Sequence, residues 1–200
     1  MNPRVSKVGK SFKGICTYMS HDKNKAQSSD RLGQVWLFNL PITATGDGVA
    51  DSERAANVMA FVASNWEDIQ SLHHENKLAA GEVDGAYRRP PRAPEKPVYS
   101  YALRFHPDDK DKVTPALLED AVRGSLEALG MDDLQAIAYE HTDFEATDEY
   151  PEHPSHVHVV VNRIDPVTGL SRSYSKDQYK LCRFAEEFGK KHNLKPVEQR

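Results

Sequence analysis

The run His156–Asn162 constrains the fold more than any other segment of this chain. It reads His-Val-His-Val-Val-Val-Asn and contains no glycine or proline, which is typical of a strand. Alternate residues of a strand point to opposite faces of a sheet, so Val157, Val159 and Val161 share one face. We predict that this valine face belongs to the core, which leaves His156 and His158 side by side on the other face.

The remaining patterns alternate between strand and helix. Apolar spacing predicts helices at residues 11–20, from Asp51 to Leu72, from Thr114 to Gly130, and around Leu181–Phe188. Strands are predicted at residues 35–40, 98–105, 135–141 and 156–164. We interpret this order as an α+β fold, a sheet with helices mainly on one face, within a single domain over residues 1–200. A Pro/Arg-rich segment at 81–97 is predicted to be an exposed loop.

Charge is unevenly distributed along the chain. The net charge is −4, but both ends are basic and residues 119–152 are strongly acidic, which is compatible with a DNA-binding face. A solvated surface is the alternative interpretation. No apolar run approaches the roughly 18 residues of a membrane span, and no secretory signal is evident at the start. We place the protein in the cytoplasm, with Cys16 and Cys182 as small core residues.

The paired histidines favour a metal site. Neutral imidazole is a common ligand of first-row metals, and His156 and His158 share a face. His141 ends the preceding strand and can reach the same face, because consecutive strands are usually neighbours. His153 is nearer in sequence, but it precedes Pro154 in a loop, so we prefer His141 as the third ligand. Two surface histidines on a solvated sheet would be the simpler explanation.

Tyr18 is the candidate nucleophile among the eight tyrosines. Tyr99, Tyr101 and Tyr139 lie within predicted strands and have a core explanation. Tyr18 instead lies in a basic segment just before a polar loop that starts at His21. A packed tyrosine is the alternative.

These motifs resemble the plasmid mobilisation relaxases, members of the HUH endonucleases, over nearly the whole chain. Ser11–Gly14, Tyr18 and His21-Asp22 are similar to the family's tyrosine motif, and Val98–Pro107 to its strand that ends in an aromatic-His-Pro element. The metal motif and the turn after it correspond to His141-Thr142-Asp143, His156-Val157-His158, Asn162–Pro166 and Thr168-Gly169. The chain departs from the family in a longer, acidic insertion at about 144–155, and it stops soon after its last helix.

The resemblance implies a five-stranded antiparallel sheet with helices behind it and the paired histidines on the central strand. It implies a metal-dependent nickase in which Tyr18 attacks single-stranded DNA at a transfer origin and keeps a 5′-phosphotyrosyl bond. Mg²⁺ or Mn²⁺ would be the cellular metal, with Zn²⁺, Ni²⁺ or Co²⁺ bound in vitro. Asp143 would orient a histidine or receive the tyrosine proton. Partners would include accessory mobilisation proteins and a secretion coupling protein.

DNA contacts are expected from polar and basic residues. Asn162 would hold a phosphate or a histidine in place. The candidates for tracking the DNA backbone are Lys7, Lys10, Lys13, Arg104, Lys180 and Arg183. Two other functions remain open: a hydrolase that uses metal-bound water and leaves no protein adduct, and a DNA-binding remnant without catalysis.

Overall fold

The computed structural model describes residues 1–21, 32–86, 96–142 and 156–197. These residues form a five-stranded antiparallel sheet in the order β1-β3-β5-β4-β2. The strands are β1 (Asn2–Val5), β2 (Leu32–Phe38), β3 (Val98–Arg104), β4 (Ala136–His141) and β5 (His156–Asn162). The helices are α1 (Phe12–Ser20), α2 (Gly48–Ser64), α3 (Trp66–Ala79), α4 (Pro115–Leu129) and α5 (Asp177–Lys191). The predicted α+β class is confirmed, and β5 is the central strand.

The two faces of the sheet are distinguished by the residues of β5. The valine face carries Val157, Val159 and Val161 and packs against α4 and α5 in the larger core cluster. The histidine face carries His156 and His158, and its inner part packs against α1 and α2 in a second cluster.

The prediction that the helices lie mainly on one face of the sheet is therefore wrong, because helices cover both faces. The central strands carry apolar residues on both faces, and those on the histidine face, such as Ile137 and Val160, also need a cover.

Two elements differ from the expected pattern. The predicted long helix after Asp51 is divided at Asn65, whose backbone N–H and side-chain amide both donate to the Phe61 carbonyl, at 3.0 and 2.7 Å. The Asn65 carbonyl in turn accepts from Ile69, so one residue ends α2 and begins α3. Strand β1 was not predicted, because it has only four residues and contains Pro3. Its place at the edge of the sheet explains why proline is tolerated there.

Several predictions fall outside the described residues. These include His153, Asp143, the insertion at 144–155 and most of the 81–97 loop. In the part of the chain that the structure describes, each helix is too short or too polar to cross a bilayer.

Candidate metal centre

Three histidines converge on the histidine face of β4 and β5. His141 lies directly opposite His156 in the antiparallel register, and His158 is two residues further along the same face of β5. The ring centroids are separated by 4.6 to 5.3 Å. One ring nitrogen from each residue lies within 4.8 Å of the other two. A single cation placed among these nitrogens could therefore bind all three imidazoles.

His141 is the most enclosed member of this histidine triad. Its side chain is only 3% exposed, whereas His156 and His158 are half-buried. The Nε2 atom of His141 lies 2.8 Å from the carbonyl oxygen of Met19. A carbonyl only accepts, so Nε2 carries the proton and donates it, and the lone pair of the neutral ring is on Nδ1. This hydrogen bond gives His141 the orientation and tautomer of a metal ligand that is supported by a backbone carbonyl.

Helix α1 carries Tyr18 and contacts the triad through the neighbouring residue, Met19. Ser11 caps the start of the helix, because its hydroxyl accepts from the Gly14 N–H. The Phe12, Cys16 and Met19 side chains of the helix pack into the core. This spacing leaves Tyr18 on the outer side, 46% exposed. The carbonyl of Met19, the next residue, contacts His141. The backbone of α1 thus connects the exposed phenol to the histidine cluster.

The three strand tyrosines are chemically unlike Tyr18. Tyr99, Tyr101 and Tyr139 are fully buried, as predicted. Burial raises the pKa of each phenol well above its usual value, because a phenolate would lose its hydration. Ionisation to a nucleophile is correspondingly costly for these groups. Among the other described tyrosines, Tyr174 stacks on Tyr99 under the Arg163 guanidinium, and Tyr179 is exposed on α5.

A buried polar network holds α1, α2 and β4 together. The hydroxyl groups of Ser52 and Tyr139 are 2.9 Å apart, and Ser52 also donates to the Cys16 carbonyl at 3.3 Å. The Cys16 thiol is buried beside them, and this burial raises its pKa to about 11. Tyr139 lies opposite His158 in the sheet register. The network therefore fixes the position of α1 on the strands that carry the histidines.

The predicted DNA-binding residues have different locations. Arg104 is half-buried on the histidine face, directly opposite His156 in the register. Lys7, Lys10 and Lys13 are exposed between β1 and the first turn of α1. Lys180 and Arg183 are on α5, which packs on the valine face, and each has a carboxylate partner, Asp177 and Glu187 respectively. Any contact that these two make with DNA would be on the opposite side of the sheet from the triad.

Asn162 has an internal role. It is 0% exposed, and its amide nitrogen lies 3.1 Å from Gln135 Oε1 and 3.3 Å from the Met59 carbonyl. Its Oδ1 atom accepts from the Ile164 N–H at 3.0 Å. The prediction that Asn162 contacts a phosphate or a histidine is wrong in this structure, because its polar atoms are already bonded and no surface remains for a ligand.

Two parts of the site could not be anticipated from residue types. The Met19 carbonyl is a backbone atom, so no sequence pattern marks it as a partner for His141. Ser52 and Tyr139 are 87 positions apart, and each has the appearance of an ordinary core residue. The spacing of Cys16 and Met19 was the only feature of the sequence that indicated which side of α1 faces the core.

Comparison with known proteins gives one family assignment. The sequence matches the family described as "Relaxase: MobA/VirD2-like, nuclease domain" over residues 46–194, which includes all three triad histidines. Tyr18 precedes the matched segment. A search of curated proteins found no match. Because the match covers well over half of the chain, this protein belongs to the MobA/VirD2-like relaxase family through its nuclease domain, a family of DNA-nicking endonucleases.

Proposed function

We propose that this chain nicks single-stranded DNA at a plasmid transfer origin through a covalent bond to Tyr18, with a divalent metal bound by His141, His156 and His158. The observation that carries the proposal is the contact between the last turn of α1 and the triad, because it links the exposed tyrosine to the candidate metal ligands. Family membership supports the DNA-nicking activity independently.

The three histidines suit a first-row divalent metal. Three neutral imidazoles leave further coordination positions open, which is the arrangement of a catalytic site and not of a closed structural one. His141 would bind through Nδ1, since its Nε2 donates to Met19. We propose Mn²⁺ or Mg²⁺ as the cellular metal and tight binding of Zn²⁺, Ni²⁺ or Co²⁺ in vitro, because imidazole favours the later metals. When bound, such a metal polarises the phosphate and stabilises charge on its oxygens.

The proposed reaction is a transesterification. The phenolic oxygen of Tyr18 forms a bond to phosphorus while the bond from phosphorus to the 3′-oxygen breaks. The phenolic proton passes to a base, and the departing 3′-oxygen gains a proton to become a hydroxyl. Asp143, which follows His141 by two positions, is the proposed base or the group that orients a histidine. One phosphoester replaces another, so the cut can be rejoined by the reverse reaction without ATP.

The proposal also implies a biological setting. The protein would act in the cytoplasm during conjugative mobilisation, together with accessory mobilisation proteins and a secretion coupling protein. Arg104, opposite His156, would contact the DNA backbone beside the triad, since phosphates are the groups that basic side chains bind most generally. The lysines Lys7, Lys10 and Lys13, nearer the Val98 end of β3, would contact it further along the strand of DNA.

The decisive experiment is the formation of a protein–DNA adduct. Wild-type protein mixed with labelled single-stranded transfer-origin DNA and Mn²⁺ should give a mass increase that survives denaturation, and Tyr18→Phe should abolish it. The substitution removes one hydroxyl from a side chain that is 46% exposed, and a single hydrogen bond is worth only about 0.5 to 1.5 kcal/mol, so folding and salt-dependent DNA binding should change little.

Matched controls distinguish Tyr18 from the other exposed tyrosines in the part of the chain that the structure describes. Tyr174→Phe and Tyr179→Phe should both retain the adduct. If one of them loses it while Tyr18→Phe does not, the nucleophile is assigned to the wrong residue. Cleavage without any adduct would favour a hydrolase that uses metal-bound water, and DNA binding without cleavage would favour a non-catalytic remnant.

A further inference from the structure

We propose that Arg4 on β1, together with Arg104 on β3, binds the backbone phosphates of the DNA strand beside the metal centre. The inference rests on the proposed function and deepens it. It names a residue that contacts the DNA backbone and the direction in which the DNA strand leaves the triad. Arg4 is not marked by any motif in the sequence.

The sheet register places both arginines on the histidine face. Arg104 lies opposite His156, and Arg4 lies opposite Ala102, which is itself opposite His158. Neighbouring strands are about 4.8 Å apart, so the Arg4 backbone is about 10 Å from that of His158. Only the short side chain of Ala102 lies between them in this row. A DNA strand that places one phosphate at the triad can therefore extend across β3 toward β1.

Arg4 and Arg104 differ from the other described arginines in having no bonded partner. Five of the seven have partners: Arg54, Arg123, Arg172 and Arg183 are paired with carboxylates, and Arg163 donates to backbone carbonyls. In the described part of the chain, neither Arg4 nor Arg104 has a hydrogen bond or an ion pair. Arg4 is exposed and Arg104 is half-buried. Two unpaired guanidinium groups on one face of the sheet are available to bind an anion.

The surrounding charge agrees with an anionic ligand. None of the described strands contributes an aspartate or glutamate to the histidine face, since the one strand carboxylate, Glu140, alternates with Tyr139 and His141 and points to the valine face. A guanidinium offers several N–H donors in a planar arrangement that matches phosphate oxygens. The face thus has donors for phosphates and no acidic strand residue to repel them.

The test measures DNA binding without chemistry. A fluorescently labelled oligothymidylate is titrated with the protein in EDTA at several salt concentrations, so no metal or cleavage is needed. Arg4→Ala should weaken binding by roughly three- to tenfold and reduce the slope of log K against log salt by about 0.7, the value for one lost phosphate contact on a single strand. Arg4→Lys should retain the slope, because its ammonium group still displaces a counter-ion.

The matched control is Arg123→Ala on α4. This arginine is exposed and lies on the valine side of the sheet, so its removal changes the net charge equally and should leave the slope unchanged. The proposal is overturned if Arg4→Ala binds like the wild type, or if Arg123→Ala weakens binding to the same extent. If Arg4→Ala weakens DNA binding but the wild type never forms the Tyr18 adduct, the Arg4 contact with DNA is supported and the proposed nicking reaction is rejected.

Discussion

At the scale of single residues, the triad depends on the states of its ring nitrogens. The Met19 carbonyl selects one tautomer of His141, whereas His156 and His158 are half-buried and more open to solvent. These three residues therefore have unequal structural roles, although each would contribute one ligand atom. Replacing His156 or His158 should weaken metal binding far more than it lowers stability. Replacing His141 would also leave the Met19 carbonyl without this partner.

His156→Ala is therefore the clean test of metal binding. In metal sites, removing a residue that only hydrogen-bonds to a ligand lowers metal affinity by about 10- to 100-fold. Removing the ligand His156 itself should therefore weaken Mn²⁺ or Zn²⁺ binding by more than about 100-fold. Stability without metal should change by only about 0.5 kcal/mol. Calorimetric titration and urea unfolding measure these two quantities. His73→Ala on α3 is the control, and equal metal affinity in both variants would contradict the ligand assignment.

At the scale of elements, the contact between α1 and β4 is the critical one. Helix α1 has nine residues, too few to be stable alone, so its position depends on its packing and on the network of Ser52 and Tyr139. A proposed nucleophile on such a short helix can be misplaced by a small change beneath it. The network is thus expected to support the reaction without touching the DNA.

Tyr139→Phe should reveal this positioning role. Loss of the bond to Ser52 should cost about 1 kcal/mol of stability and, because α1 becomes less well positioned, reduce the rate of adduct formation by about tenfold or more. Tyr101→Phe is the matched control, since its buried hydroxyl bonds to Ser125 at 2.7 Å on the valine face. It should lose similar stability and retain the rate. Equal rates in the two variants would show that the network has no positioning role.

At the scale of the whole molecule, buried groups with raised pKa values lie on both faces of the sheet. Cys16 and Tyr139 are on the histidine face, and Tyr99 and Tyr101 are on the valine face. Burial raises the pKa of all four groups, so the folded protein keeps them protonated after the unfolded chain has begun to ionise. Both halves of the core thus contribute to the same pH dependence.

Stability should therefore fall in alkaline solution. The Cys16 contribution is fully present below the ordinary thiol pKa and is lost as the pH rises toward its folded pKa of about 11. Urea unfolding at pH 8 and pH 10.5 should show a smaller fall for Cys16→Ala than for the wild type, by on the order of 1–2 kcal/mol. Cys182→Ala, which removes the half-buried second cysteine, is the matched control. An unchanged pH dependence in Cys16→Ala would reject this explanation.

The sequence by itself determined the local structure and the chemistry of the candidate site. Apolar spacing placed nearly every helix and strand, because each element must turn a continuous apolar side toward the core. Alternation along residues 156–162 placed His156 and His158 on one face, and the end of the preceding strand indicated His141 as their neighbour. The family resemblance is confirmed by the match over residues 46–194.

Tertiary structure alone decided which residues meet. Helices cover both faces because the central strands are apolar on both, a property that becomes visible only when all the strands are aligned. The sequence suggests that Asn162 holds a phosphate or a histidine in place, yet packing makes it an internal residue. The Met19 carbonyl on His141, the Ser52–Tyr139 bond and the unpaired Arg4 depend on register and packing across distant segments, and local residue patterns carry no information on such contacts.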